Sequence, residues 1–123
     1  HRIPAAIATA TDRYLVEIVL ERLQIAEFFT GIVTSTEAGS AKAESPAIFH
    51  AARKLLGSTI EKTVVFEDAF FAVRTAKNAG YPVAALYDET ARCPAEEMKK
   101  YCDWYAESFF DYLPGGSAAG TEA

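Results

Sequence analysis

The stretch Thr63-Val64-Val65-Phe66-Glu67-Asp68 runs an apolar β-forming segment straight into two adjacent carboxylates, and a helix-like pattern follows at once. A continuous apolar run of this kind suits a strand buried on both faces, as in a parallel sheet. Open α/β sheets bind ligands outside the carboxyl ends of their strands, where Glu67 and Asp68 would stand. Neighbouring carboxylates repel each other unless a positive charge stands beside them, and a hard cation such as Mg²⁺ supplies one. The plainer reading is that both acids only cap the next helix, whose N-terminal dipole favours negative charge.

Downstream of the acids, the pattern predicts a helix over residues 70–79, with Gly80 in the left-handed position that ends it. A fourth strand follows at 83–87, then a loop carrying Asp88 and Glu89, then a polar helix near 94–101. Trp104-Tyr105-Ala106 reads as a short edge strand. From Pro114 onward the chain is Gly, Ser and Ala with little apolar content, which gives a core over residues 1–113 and a flexible tail over 114–123.

Upstream, a first strand at 5–8 ends in Thr9-Ala10-Thr11-Asp12, where Thr11 or Asp12 can cap a helix. Leu15, Ile18, Val19 and Leu23 fall on one face of that helix. Ile25, Phe28 and Phe29 are expected to pack the connection into a second strand at 31–34. The loop over 35–44 holds Gly39 and Lys42. Ser45-Pro46 then starts a helix, Gly57 stops it, and Ile48, Ala52, Leu55 and Leu56 supply its buried face.

The 123 residues suit one domain, and 50% hydrophobic with 24% charged residues is a globular composition. A net charge of −5 disfavours nucleic acid and anionic membranes as partners. No apolar run is long enough for a membrane span, and no signal peptide is visible. Cys93 and Cys102 lack zinc-type spacing, so reduced thiols in a cytoplasmic protein are the expectation.

Four strand-then-helix units in succession imply a parallel sheet with helices on its faces and right-handed crossovers. All loops that follow strands then open along one edge, so Thr9, Lys42, Glu67, Asp68 and Asp88 are expected to face one crevice. A hydroxyl, an ammonium and a carboxylate pair suit a phosphate with its Mg²⁺. Thr9 and the backbone N–H groups around Ala10 would hold phosphate oxygens, Lys42 would neutralise charge, and Asp68 with Glu67 would hold the metal. Each has a structural alternative. Thr9 can be a helix-entry hydroxyl, Lys42 a solvated charge, Asp88-Glu89 turn chemistry, and His50 a surface or half-buried side chain.

The segments AAIATAT, TEAGSAKAESPAIFHAARKLLG and VVFEDAFFAVRTAKNAGYPV resemble the haloacid dehalogenase superfamily, in the style of its β-phosphoglucomutase and phosphoglycolate phosphatase group. The resemblance runs from about residue 3 to 112. It implies a three-layer, doubly wound Rossmannoid core and Mg²⁺-dependent phosphoryl transfer on a small phosphorylated metabolite such as a sugar phosphate. By position, Thr9 matches the family's phosphate-binding hydroxyl, Lys42 its catalytic lysine, and Glu67 and Asp68 its metal acids. Lys42 stands four residues before Pro46, one more than the family pattern, and Ala69 and Ala72 replace its usual serine and glycine.

The family's Asp-x-Asp, which supplies nucleophile and general acid/base, occurs nowhere in the chain. The resemblance therefore implies the C-terminal part of a core domain. An upstream segment of the same protein would supply the central strand, the Asp-x-Asp and a cap. A catalytically silent phosphate-binding module that has lost the nucleophile is the alternative. A receiver-type regulatory domain fits poorly, since ATAT lacks the acidic cluster such domains carry after their first strand.

Overall fold

The computed structural model describes residues 3–120 and folds as an α/β protein of two compact units, His1–Thr59 and Ile60–Ala123. His1, Arg2 and residues 121–123 lie outside the described residues. Where length suggests one domain and one sheet, the strands form two sheets, and no hydrogen-bonded pairing joins them among the described residues.

In the first unit, β1 (Ala6–Thr9) pairs in parallel with β2 (Gly31–Thr34), with Thr9 opposite Thr34. Helix α1 (Arg13–Leu23) follows β1, and a 3₁₀ turn (Ala26–Phe28) leads into β2. The short helix α2 (Ser35–Ala38) leaves β2 directly, because the Thr34 hydroxyl caps it by accepting from the Glu37 N–H at 3.1 Å. Helix α3 (Ala47–Leu56) packs on both strands. The Ser45 hydroxyl accepts from the Ala47 N–H at its entry, and Gly57 at φ 62° closes it in the left-handed region. Ile48, Phe49 and Ala52 form the buried stripe of α3, whereas Leu55, expected inside, is exposed.

Helix α1 departs further from expectation. Leu15, Ile18, Val19 and Leu23 are all exposed, while Leu20 is buried and Val16 half-buried. Four residues make slightly more than one turn, so Val16 and Leu20 form one narrow stripe along the helix. Ile25 and Phe29 are half-buried, but Phe28 is exposed.

The second unit has strand order β3-β4-β5-β6. Strands β3 (Val65–Glu67), β4 (Val83–Leu86) and β5 (Trp104–Ala106) are parallel, and β6 (Ala119–Gly120) is antiparallel to β5. All four residues of β4 are buried, which marks it as the centre of the unit. Helix α4 (Phe70–Asn78) turns Ala72, Val73 and Ala76 onto β3 and β4. Gly80 at φ 97° follows it, as the sequence suggests. A short α5 (Ala95–Lys99) precedes β5. Asp103 ties α4 to β4 and β5, accepting from Lys77 Nζ at 2.7 Å and from the Val83 N–H at 2.8 Å.

Two expectations are corrected here. Strand β3 is not buried on both faces: Val65 is buried, but Val64 is exposed and Phe66 is 51% exposed. It pairs only with β4, and the Phe66 ring is covered only in part, by Tyr112 edge-on at 5.5 Å and Phe109 at 6.4 Å. Strand β5 is internal rather than an edge, because residues 119–120, read from composition as part of a tail, add β6 beside it. A Ser117–Asp111 hydrogen bond of 2.8 Å and the Ala118 N–H donating to the Asp111 carbonyl help hold that segment.

Among the described residues, β1 has a neighbour only in β2, and β3 only in β4. Unpaired strand backbone without lysine, proline or a bulge is a template for pairing with another chain. The 123-residue chain by itself is expected to self-associate; size-exclusion chromatography with light scattering would detect this. A monodisperse monomer across micromolar concentrations would show that both edges are protected.

Candidate functional site

In the first unit the parallel β1–β2 pair releases both chains at one sheet edge, so Thr9 and the segment from α2 to Lys42 leave from the same end. The Thr9 hydroxyl accepts from the Thr11 N–H at 3.1 Å, fixing the turn that leads to Asp12. Asp12 stands at the N-cap of α1, but its side chain makes no capping bond; its carbonyl accepts from Leu15 and Val16.

Arg13, which sequence reasoning passed over, is the main tie between the two loops. Its guanidinium donates to both carboxylate oxygens of Glu37 at 2.8 Å and to the Ile32 carbonyl at 2.7 Å. That fork lowers the Glu37 carboxyl pKa and raises that of Arg13. No short-range sequence pattern marks the pair, because its members lie 24 residues apart. Lys42 lies in a turn, with its ammonium over the Phe49 ring at 5.7 Å from the centroid. This contact joins the Lys42 loop to a buried residue of α3.

In the second unit the acids stand at the carboxyl end of β3, and Asp88 follows the parallel β4 at the same edge. Glu67 turns one oxygen back to accept from the Asp68 and Ala69 N–H groups at 3.2 and 3.4 Å. Asp68 and Asp88 line the same cavity, and each affects the other's ionisation. Although Asp68 keeps contact with solvent, partial burial comes first, then Glu67 and Asp88, in pushing its carboxyl up to about 6. The Asp88 carboxyl is held low, chiefly by accepting from the Thr90 hydroxyl and N–H at 2.7 and 2.8 Å. Asp88 thus performs the turn chemistry read from sequence and also meets Asp68.

The structure brings Glu67, Asp68 and Asp88 together, and separately sets Thr9 and the Lys42 loop at one end of the β1–β2 pair. His50 is half-buried, and Cys93 and Cys102 are both in the thiol form, Cys102 buried.

The acids suit a hard cation in their chemistry, since they offer oxygen donors only. Mg²⁺ commonly takes one or two carboxylates and completes its shell with water and phosphate oxygens. Among the described residues no group of three or more His, Cys, Asp or Glu side chains is arranged to hold a metal. No helix there is long and apolar enough to cross a membrane.

Residues 1–80 match the model of the haloacid dehalogenase-like hydrolase family. An uncharacterised protein of Haemophilus influenzae is 28% identical over 80 residues, which cover 65% of this chain and 40% of that protein. Among solved structures, a provisionally assigned β-phosphoglucomutase of Thermotoga maritima superposes with a TM-score of 0.73 at 25% identity, over 85% of this chain and 48% of its own. The L-2-haloacid dehalogenase of Xanthobacter autotrophicus shares the fold at a TM-score of 0.60 and 21% identity, over 75% of this chain and 36% of its own. The chain thus spans half or less of the length of these relatives.

An apo-state titration follows from the acid cluster. The Asp68 carboxyl is expected to titrate near pH 6 by ¹³C NMR, and its midpoint should fall when Mg²⁺ is added, because a cation favours the charged form. A midpoint near 4 that ignores Mg²⁺ would contradict the arrangement.

Proposed function

The chain belongs to the haloacid dehalogenase-like hydrolase family, and we propose that its parent protein is a Mg²⁺-dependent phosphatase or phosphomutase acting on a small phosphorylated metabolite. The observation that carries this reading is the Glu67–Asp68–Asp88 cluster at the carboxyl edge of the β3–β4 pair. The likeness to the Thermotoga protein supports a sugar phosphate as one such metabolite.

Asp68 and Glu67 would hold Mg²⁺, which when bound supplies charge neutralisation at the phosphate. The Thr9 hydroxyl can donate to a phosphate oxygen while accepting from Thr11, and the N–H groups around Ala10 add donors where α1 begins. Lys42 would offset the charge that grows on the equatorial oxygens as the phosphoryl group transfers.

An aspartate on a strand preceding this chain is the proposed nucleophile. Its carboxylate oxygen bonds to phosphorus as the ester P–O bond breaks, and the leaving oxygen takes a proton from the second aspartate of the Asp-x-Asp. Water, deprotonated by that second aspartate, then cleaves the aspartyl-phosphate in a phosphatase. Such a strand would also supply the neighbours that β1 and β3 lack. The absence of Asp-x-Asp from the 123 residues favours, as a second reading, a phosphate-binding module without catalysis. The coding sequence before His1 separates the two: an apolar strand without the aspartates excludes this route.

In the protein with its preceding segment, Asp68→Asn should abolish Mg²⁺-dependent phosphate release while leaving thermal unfolding cooperative. Lys42→Ala should slow turnover by a factor of about 10²–10³, the range for loss of a transition-state charge partner. Unchanged turnover and Mg²⁺ dependence in Asp68→Asn would overturn the metal assignment.

A further inference from the structure

Arg13 opens α1 with a cation, which the helix dipole disfavours at an N-terminus, and the first turn of α1 holds no acid to offset it. Its shortest contacts lie off the helix. Nε donates to Glu37 Oε1 at 2.8 Å, while Nη2 donates to Glu37 Oε2 at 2.8 Å and to the Ile32 carbonyl at 2.7 Å. Nη1 stands 3.7 Å from Glu17, one turn along. The side chains of Arg13 and Glu37 are 43% and 42% exposed, so the pair contributes little to stability. What a two-pronged fork does fix is orientation, since both arms must be met at once.

The fork joins two segments. Just upstream of Arg13 is the Thr9 turn, closed by the Thr11 N–H. Glu37 belongs to α2, a helix of four residues, too short to hold its own geometry. The Thr34 hydroxyl caps α2, which also touches β2 and α3, and the fork links it to α1. Gly39 at φ 78° ends α2 and leads the chain into the Lys42 turn, where the Ala41 carbonyl accepts from the Glu44 and Ser45 N–H groups.

We propose that Arg13 is a positioning residue of the phosphate site, setting the Lys42 loop against the Thr9 turn through Glu37. The inference rests on the reading of Thr9 and Lys42 as phosphate-holding groups. Arg13 acts through Glu37 rather than on phosphate, because its Nε and Nη2 donors are already committed. Placement matters steeply at such a site: a displacement of about 1 Å can cost about a hundredfold in rate. Cutting the fork would leave α2 free to tilt about its Thr34 cap and carry the Lys42 loop with it.

The test uses the protein with its preceding segment, in Mg²⁺. Arg13→Gln and Glu37→Ala remove the fork from either side, and a third variant combines them. Titration with inorganic phosphate followed by ³¹P NMR gives a Kd, and hydrolysis of p-nitrophenyl phosphate gives kcat. Each single variant should weaken phosphate binding about tenfold and lower kcat about tenfold, with the thermal midpoint nearly unmoved. The combined variant should lose no more than either alone, because both substitutions break one contact.

Either quantity within about twofold of the unsubstituted protein in a folded single variant overturns the inference, as do losses that multiply in the combined variant. Tighter phosphate binding in Glu37→Ala would mean that a released Arg13 takes the anion itself, and overturns it too. If one single variant loses its cooperative thermal transition, the other decides; loss in both shows a folding role and overturns positioning. Lys42→Ala separates this failure from failure of the reading beneath it. If Lys42→Ala also leaves phosphate binding and kcat unmoved, the phosphate site falls and the inference with it. If Lys42→Ala lowers both while the Arg13 and Glu37 variants do not, the inference alone falls.

Discussion

Parallel pairing sends both strands of a pair off the sheet at the same edge, and in each unit of this protein that constraint decides which polar residues share an end. In the first unit it puts the Thr9 turn and the α2–Lys42 segment at the carboxyl edge of β1–β2. In the second it puts Glu67 and Asp68 beside Asp88, which lies 20 residues further along the chain than Asp68. Antiparallel pairing would have sent the two loops to opposite edges. The chemistry open to the second unit follows from its strand direction before any side chain is considered.

Charge is then handled in opposite ways in the two units. Arg13 meets Glu37 with a two-pronged hydrogen-bonded fork, so the loops leaving β1 and β2 are tied without any foreign ion. At the β3–β4 edge the Asp68 carboxyl is instead raised, by partial burial first and then by Glu67 and Asp88. A carboxyl raised in this way is suited to exchange its proton for a divalent cation. This difference sets a structural ion pair apart from a candidate ligand set.

Apolar surface supplies a second line of support for the proposed larger protein. The outer face of α1, with Leu15, Ile18, Val19 and Leu23, is exposed, as are Phe66, Phe109 and Phe110 in the second unit. An upstream strand and helices, such as the reading above requires, would cover surface of this kind and satisfy unpaired strand backbone in the same step. The relatives are longer than this chain, and the matched part makes up less than half of each.

The sequence by itself determined the order of strands β1 to β5 and of helices α1, α3, α4 and α5, the helix stops at Gly57 and Gly80, and the family to which the chain belongs. These depend on local causes: the period of apolar residues, the φ angle that glycine tolerates, and short runs such as VVFED. It also named Asp68 and Glu67 as neighbours at a strand end, which adjacency alone guarantees. Only the tertiary structure decided which apolar faces are covered, because a helix pattern marks a hydrophobic stripe without saying whether anything meets it. Hence Leu20 is buried while Leu15 and Ile18 are not. The Arg13–Glu37 fork, the nearness of Asp68 and Asp88 and the placement of residues 119–120 beside β5 were likewise settled in space. Each joins residues far apart in sequence, and pairings at that range are selected by strand register and packing, which no local pattern encodes.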